Sequence, residues 1–336
     1  VQPDILVCRA EHKINKELRK KIALFCNVAP DAVIEARDAN SIYEVPLLME
    51  KEKLDEVVLK KLGFTTVNSH DLSSWRDFID KLIHPKQEVK IGLVGKYVEL
   101  KDSYKSISEA FIHAGATNDS KVKLEWIHSE GITEETLADK MKDLAGILVA
   151  PGFGNRGIEG KILAIKYARE NKIPFFGICL GMQCAVIEFA RNVIGLKDAH
   201  SREMNPASSN PVIDLLETQK SITNMGGTMR LGAYPCRLED GTLARSIYGK
   251  TEIQERHRHR YEFNNEYKSK FEEAGMVLSG INPQAELVEI VELNDHPWFL
   301  GVQFHPEYKS TVIKPHPLFV SFVKAALNYK KTQISV

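Results

Sequence analysis

The 336-residue chain predicts an α/β fold with a mostly parallel, doubly wound sheet and flanking helices, preceded by a smaller, partial α/β segment. Between positions 89 and 193, short apolar stretches alternate with longer segments of helical periodicity, as in chains that form parallel sheets. A polar stretch with a proline, HPKQE at 84–88, interrupts the pattern before this region. We therefore predict domains at 1–83 and 91–330, joined by a linker at 84–90.

The individual elements follow from apolar spacing and from breaks at glycine, proline and polar residues. In the first part we predict strands at 5–8 and 32–35 and helices at 15–25, 51–62 and 72–83. In the second part we predict strands at 89–94, 123–127, 146–150 and 174–178, alternating with helices at 103–114, 134–144, 161–171 and 182–193. Further strands at 287–292 and 299–303 would extend the sheet before a last helix at 318–328.

Composition excludes several classes of protein. Lys plus Arg and Asp plus Glu number 45 each, and a chain with no basic excess is a poor general nucleic-acid binder. No stretch approaches the ~20 apolar residues of a membrane span. The five cysteines are odd in number and form no Cys-x-x-Cys pair, so we expect no disulfide framework, no metal site and a cytoplasmic location. Because the first residue is Val1, we expect a fragment of a longer protein.

One segment has the sequence of a nucleophile turn. The apolar strand at 174–178 continues through Cys179 and Leu180 to Gly181, and helical sequence follows at once. Gly177 and Gly181 would allow a tight turn that presents Cys179 at the amino end of a helix, where backbone amides favour a thiolate. We predict that Cys179 is a nucleophile. The remaining cysteines are expected to be ordinary buried residues: Cys8, Cys26, Cys184 and Cys236.

A second segment supplies partners for the cysteine. His305 and Glu307 follow an apolar strand and are two positions apart, so in extended backbone they point to the same side. A carboxylate placed in this way can hold an imidazole in one tautomer, and we predict a triad of Cys179, His305 and Glu307. The glycine-rich turn at 151–157 follows another strand, and we assign an oxyanion hole to the amides of Gly152 and Leu180. The turn lacks the Gly-Lys-Ser/Thr sequence of a phosphate-binding P-loop.

These sequences resemble the class I (triad) glutamine amidotransferases, through GICLGMQ at 177–183 and FHPE at 304–307. Within that group the chain resembles the CTP synthase family, and the similarity covers nearly the whole chain. The distinguishing stretches are SREM at 201–204, GGTMRLG at 226–232, RHRHRYEFNN at 256–265, HPWF at 296–299, QPDILVCR at 2–9, KIALFCN at 21–27 and DANSIYEVP at 38–46. The resemblance implies that 1–83 is the end of a synthetase domain.

The resemblance also implies a reaction. Glutamine would be hydrolysed to glutamate and ammonia through a Cys179 thioester, with no cofactor at the glutaminase site. The complete enzyme would use the ammonia, ATP and Mg²⁺ to convert UTP to CTP in pyrimidine biosynthesis. It would be activated by GTP and would form a homotetramer.

The same resemblance assigns roles to individual residues. The glutamine pocket would comprise Gly152, Leu180, Gly181, Met182, Gln183, Glu203 and Arg260. Glu203 would bind the α-ammonium group and Arg260 the α-carboxylate side. Lys21 would contact UTP or CTP, and ATP would contact Arg37, Asp38 and Ala39. Phe153 and Arg156 are candidates for the GTP effect, although Arg156 could equally cap its loop.

Two departures from the family affect these expectations. The family's loop is commonly Pro-Gly-Gly-Phe-Gly, whereas here Pro151 occupies the place of the first glycine and has no N–H to donate. The ATP-binding half that precedes this region in the family, with its phosphate loop, is absent from the chain.

Three other interpretations remain open. The chain could be a stand-alone or other-pathway class I glutaminase, such as one feeding GMP or anthranilate synthesis, but 226–232 and 256–265 argue against that. It could be a non-catalytic regulatory or assembly module, although all three triad residues are present. It could also be a cysteine peptidase, but the paired charges of Glu203 and Arg260 suit a small zwitterion better.

Overall fold

The computed structural model describes residues 2–64, 71–215 and 229–334. The chain divides into two compact units, Val1–Ile83 and His84–Val336. The first strand of the second unit begins at Gln87, within the segment 84–90 that we predicted as a linker. Pairing with a neighbouring strand explains this, because Gln87 and Glu88 lie in register with Ser120 and Lys121.

The first unit contains a pair of parallel strands and, among its described residues, four α-helices. The strands are β1 (Leu6–Ala10) and β2 (Val33–Arg37). The helices are α1 (Lys16–Phe25), α2 (Val45–Lys51), α3 (Leu54–Lys61) and α4 (Ser73–Ile83). The single helix predicted at 51–62 is wrong, because the backbone of Lys53 is left-handed, with φ 59, and separates α2 from α3.

The second unit is built on a nine-stranded sheet with a small three-stranded sheet beside it. Its strands are β3 (Gln87–Gly95), β4 (Ser120–His128), β5 (Gly146–Val149), β6 (Phe175–Ile178), β7 (His200–Ser201), β8 (Pro211–Asp214), β9 (Arg230–Leu238), β10 (Glu252–His259), β11 (Glu262–Phe263), β12 (Met276–Ile281), β13 (Val288–Leu293) and β14 (Phe299–Val302). Its helices are α5 (Lys105–Thr117), α6 (Glu134–Met141), α7 (Ile158–Glu170), α8 (Leu180–Phe189), α9 (Leu243–Tyr248), α10 (Lys268–Glu273) and α11 (Pro317–Ile334).

The order of strands places the site-bearing segments next to one another. The large sheet runs β10-β9-β12-β13-β14-β6-β5-β3-β4, and the strands from β14 to β4 are parallel. Strands β5, β6 and β14 are buried throughout, because the sheet has an apolar core on each face. The predicted α/β fold, with a parallel sheet and flanking helices, is therefore confirmed.

An antiparallel extension completes the sheet, and most of it was not predicted. Strands β10, β9, β12 and β13 pair antiparallel along the edge beyond β14. Of these, the sequence predicted only β13, at 287–292. Along β10 exposed and buried positions alternate, but the buried ones include Glu255, His257 and His259, so no apolar alternation marks the strand. Within the described ranges, no helix has the length and apolar character needed to cross a membrane.

Candidate active site

Cys179 lies on the turn between β6 and α8, directly before the first residue of the helix. Its backbone has φ 52 and ψ −104, which a non-glycine residue adopts only under strain. The turn needs Gly181, where a Cβ would lie 2.1 Å from the carbonyl oxygen of Val149, and Gly177, where one would lie 2.8 Å from the backbone of Gly181. The Cys179 amide donates to the Val302 carbonyl at 2.7 Å. Contacts with the strands on both sides of β6 therefore hold Cys179 in place.

His305 and Glu307 follow strand β14, which is the parallel neighbour of β6. His305 Nδ1 lies 2.7 Å from Glu307 Oε1, and both side chains are buried. The His305 amide donates to the Arg256 carbonyl, and its ring stacks on Tyr308. Because Nδ1 is engaged by the carboxylate, Nε2 is the nitrogen available to exchange a proton with the sulfur.

The sulfur and the carboxylate both influence the charge of His305. Burial lowers the pKa of the imidazole, but the Cys179 sulfur and then Glu307 oppose that effect and raise the pKa of His305 to about 11. Nε2 is buried and has no hydrogen-bond partner of ordinary geometry among the described residues, so we attribute the influence of Cys179 to charge. Because a charged Cys179 sulfur is the first of the causes that raise it, this pKa describes His305 beside a thiolate.

The two segments that carry the predicted oxyanion donors are in contact. A Cβ on Gly152 would lie 3.4 Å from Cδ2 of Leu180, so the glycine-rich turn lies against the first turn of α8. Leu180 is the first residue of that helix, and its amide has no acceptor within the helix. Pro151 cannot donate, so Gly152 is the first residue of the turn that could provide the second amide.

Two buried lysines support the glycine-rich turn. Lys96 Nζ donates to the carbonyls of Phe153 and Gly154, the latter at 2.7 Å. Lys161 Nζ donates to the Ala150 carbonyl at 2.7 Å. Burial lowers the pKa of Lys96, and it lowers the pKa of Lys161 to about 8. The role of neither lysine could be predicted from the neighbouring sequence, because each contact joins segments that are distant in the chain or on opposite sides of a turn.

A cavity of about 220 Å³ opens in front of Cys179. The predicted glutamine residues that line it are Gly152, Gln183, Glu203 and Arg260. Three others are buried and do not line it: Leu180, Gly181 and Met182. Further lining residues, to which we assigned no glutamine contact, are Phe153, Met229, Arg258, His259 and Tyr261. Residues 226–228, at the start of the GGTMRLG stretch, lie outside the described residues.

The cavity lining includes the anionic side chain of Glu203 and the cationic side chains of Arg260 and Arg258. Glu203 Oε1 accepts a hydrogen bond from the Gly154 amide at 2.8 Å, so the glycine-rich turn orients this carboxylate. Arg260 follows strand β10, in which alternate residues face opposite sides of the sheet. This alternation divides the RHRHRY stretch: Arg256 and Arg258 are exposed, whereas His257 and His259 are buried and contact carboxylates at 2.8 Å.

The chain is similar to known proteins over most of its length. The family model described as Glutamine amidotransferase class-I matches residues 99–325. The chain belongs to the class I glutamine amidotransferases. A second model, CTP synthase N-terminus, matches residues 1–64 of this amidotransferase. The glutaminase domain of Trypanosoma brucei CTPS, solved with bound acivicin, is 37% identical, with a TM-score of 0.68, and the match covers 71% of this chain and 94% of that one.

Curated relatives match over almost the entire amidotransferase chain. The CTP synthase of Cytophaga hutchinsonii is 64% identical over 331 residues, which are 98% of this chain and 61% of that protein. The CTP synthase of Flavobacterium psychrophilum is 60% identical over 330 residues, with 98% and 62% covered. The predicted resemblance to CTP synthases is therefore confirmed, and the chain spans less than two thirds of the length of these relatives.

The nucleotide residues predicted in the first unit of the amidotransferase lie at or near its surface. Lys21 is exposed on α1, and Arg37 and Asp38 are exposed at and after the end of β2, followed by half-buried Ala39. Arg37 pairs with Glu35 at 3.1 Å, and Asp38 pairs with Arg9 at 2.7 Å. Ligands often bind at the carboxyl ends of parallel strands, where Arg37, Asp38 and Ala39 lie, whereas Lys21 lies within α1. Their nucleotide contacts remain predictions.

The two candidates for a GTP effect differ in their surroundings. Phe153 lines the cavity and is 52% exposed. Arg156 pairs with Glu130 at 3.2 Å, and its guanidinium lies 5.4 Å from the centre of the Tyr97 ring. These contacts accord with the alternative in which Arg156 caps its loop, and both roles remain predictions.

The other cysteines occupy two kinds of environment. Cys184 and Cys236 are buried, and burial raises the pKa of Cys184 to about 11 and also raises that of Cys236. Cys8 and Cys26 are only half-buried, so the expectation that they are buried was wrong. Each lies in the small first unit, where β1 alternates between exposed and half-buried positions and Cys26 caps the end of α1.

Proposed function

We propose that this chain hydrolyses L-glutamine to glutamate and ammonia, and that it is the glutaminase-bearing part of a glutamine-dependent CTP synthase. The observation that carries the proposal is the position of Cys179, on a strained turn with His305 and Glu307 beside it and a cavity in front. Groups of both charges line the cavity, Glu203 as the anion and Arg260 and Arg258 as the cations, and free glutamine is a zwitterion. We assign its ammonium group to Glu203 and its carboxylate to Arg260.

The proposed reaction begins with attack of the Cys179 thiolate on the carbonyl carbon of the glutamine side chain. The amides of Gly152 and Leu180 stabilise the oxyanion that forms, and one such donor is worth ~3–4 kcal/mol. Imidazolium Nε2 of His305 then gives its proton to the leaving nitrogen, so that ammonia departs and a γ-glutamyl thioester remains. Neutral His305 next takes a proton from water, whose oxygen attacks the thioester. Glutamate is released and the thiolate–imidazolium pair is restored.

We further propose that the complete enzyme uses the ammonia to aminate UTP, giving CTP, at the expense of ATP. In this proposal Lys21 contacts UTP or CTP, and Arg37, Asp38 and Ala39 contact ATP. GTP is the activator, acting near Phe153 and Arg156, and the complete enzyme is a homotetramer. The complete enzyme would also need Mg²⁺. Among the described residues no group of three or more His, Cys, Asp or Glu side chains could hold a metal ion, and no step is assigned to Mg²⁺ here.

Exposed apolar side chains support the view that the first unit works with further protein. Leu24 and Phe25 are neighbours in the chain and are 80% and 79% exposed, and Leu62 is 68% exposed. We propose that the rest of a synthetase domain covers them. We also propose a cytoplasmic location, because a cysteine nucleophile must remain a reduced thiol.

Release of ammonia and glutamate from L-glutamine by wild-type protein tests the glutaminase proposal, with Cys179→Ala as the control. We expect activity that is lost in the variant while its thermal unfolding is unchanged. The assay is repeated with GTP, and with the complete enzyme plus UTP and ATP to follow CTP. Glutamine hydrolysis that persists in Cys179→Ala, or cleavage of peptides without hydrolysis of free glutamine, would contradict the proposal.

A further inference from the structure

Buried side-chain amides connect the wall of the cavity to the nucleophile. Gln183 Nε2 donates to the Tyr261 carbonyl at 2.9 Å and to Gln303 Oε1 at 3.1 Å. Gln303 Nε2 in turn donates to the sulfur of Cys179, at 3.7 Å. Both glutamine side chains are buried, Gln303 completely. Gln303 therefore touches the reacting atom of the proposed glutaminase, and the mechanism above gives it no role.

The Tyr261 carbonyl determines which way both amides are turned. A carbonyl oxygen only accepts hydrogen bonds, so the Gln183 atom that faces Tyr261 must be the NH₂ group. The same NH₂ group faces Gln303, which must therefore present its oxygen to Gln183. The NH₂ group of Gln303 is then directed at the sulfur. Turning Gln183 over would oppose two acceptors, and turning Gln303 over would oppose two donors, in a buried place where either arrangement is costly.

The position of Gln303 in the chain explains why it reaches the sulfur. It directly follows β14 and precedes His305 by two residues, and β14 pairs in parallel with β6, the strand that leads to Cys179. The Gln303 amide also donates to the Glu289 carbonyl at 2.8 Å, which holds its backbone against β13. The spacing could have indicated Gln303 from the sequence, whereas its partner Gln183 comes from the first turn of α8.

We propose that Gln303 is a catalytic residue that donates a hydrogen bond to the Cys179 thiolate and keeps the nucleophile ionised before it attacks glutamine. A donor binds an anion more strongly than a neutral sulfur, so the contact favours the thiolate. His305 also stabilises the thiolate, but it gives up its proton during the reaction, whereas the Gln303 amide transfers none. The contact weakens when the sulfur becomes part of a neutral thioester and strengthens again as the thiolate leaves. The proposal rests on the glutaminase function proposed above.

The pH dependence of Cys179 alkylation by iodoacetamide, followed on its own peptide by mass spectrometry, tests this role without glutamine turnover. Gln303→Leu removes the donor but leaves the Gln183 NH₂ group bonded to Tyr261. We expect the pH midpoint of alkylation to rise by about one unit. Below the midpoint, alkylation of Cys179 should then be roughly tenfold slower than in the wild type. Gln303→Glu has the same shape but turns a carboxylate oxygen towards the sulfur, so its midpoint should rise further.

Exposed Gln284 provides the matched control, and Gln284→Leu should keep the wild-type midpoint. The other titratable groups around the sulfur are unchanged in all three variants: His305, Glu307, Lys161, Cys184, Glu203 and Arg260. An unchanged midpoint in Gln303→Leu overturns the proposal. If that variant does not fold, as judged by thermal unfolding, an unchanged midpoint in Gln303→Glu does so. If the wild-type protein does not hydrolyse glutamine but the Gln303 variants still shift the midpoint, only the glutaminase proposal is contradicted.

Discussion

Replacing Gly181 with alanine should separate the nucleophile turn from the central sheet. The new Cβ would lie 2.1 Å from the Val149 carbonyl oxygen, whereas such contacts are essentially never under 3.0 Å. The obstacle is the backbone of β5, so no change of rotamer relieves it, and helix α8 must move away. Overpacking of this kind costs ~1–3 kcal/mol, and we expect the upper end. In a unit of this size that lowers the melting temperature by roughly 6–12 °C.

The same displacement should affect catalysis, because Leu180 and Cys179 move with the helix. A misplacement of ~1 Å can reduce activity ~100-fold, so we expect a fall of that order in kcat/KM for glutamine. Thermal unfolding by circular dichroism and release of ammonia measure the two effects. Gly131→Ala is the control, since its Cβ would lie 3.6 Å from flexible Lys140 Nζ. If Gly181→Ala melts with the wild type, or is no less active than Gly131→Ala, the argument from the turn is refuted.

Three further substitutions test electrostatic features of the structure. Glu307→Gln removes the charge that holds His305 Nδ1 and should lower kcat/KM roughly 10- to 100-fold in steady-state glutamine hydrolysis; an unchanged value would remove the carboxylate from the triad. Burial lowers the pKa of Lys161 from 10.5 to about 8, so wild-type stability should rise by on the order of 3 kcal/mol between these two pH values. Lys161→Met also loses the donor to the Ala150 carbonyl, but it should lack this rise in urea unfolding; a difference between the two proteins that is independent of pH would contradict the prediction. Arg230→Met leaves two buried carboxylates without their shared guanidinium and should cost ~3–5 kcal/mol in urea unfolding at pH 7. The guanidinium and His257 hold the pKa of Glu289 down against burial, so this deficit should shrink as acid protonates the carboxylates; a deficit independent of pH would argue against the ion pairs.

The active-site turn could be predicted because its information is local. A buried strand, two glycines around a cysteine and an immediate helix occupy the ten residues 174–183, and the glycines are required by backbone contacts that the structure shows. His305 and Glu307 are in contact as predicted, but the extended backbone predicted between them is wrong, because a 3-10 turn at Pro306–Lys309 follows His305 and contains Glu307. The role of each residue remains a prediction, but their proximity follows from the sequence pattern and the parallel pairing of β6 with β14.

The antiparallel edge of the sheet could not be predicted in this way. Its β10 strand buries Glu255, His257 and His259, which look like surface residues when only neighbouring positions are considered. They can be buried because distant segments of the chain supply polar partners for them. Glu289 of β13, for example, contacts His257 at 2.8 Å. Such pairs replace the apolar alternation that normally marks a strand, and they form only after distant segments meet.

The amino-acid sequence by itself determined the α/β class of the fold, the nucleophile turn and the pairing of His305 with Glu307, since each depends on residues close together in the chain. Only the tertiary structure decided which side chains surround the sulfur. Lys161 supports the glycine-rich turn from α7, Glu203 reaches it from beyond α8, and Gln303 meets Gln183 across two elements. These contacts join segments many residues apart, and their geometry is set by how strands and helices pack rather than by local conformational preference.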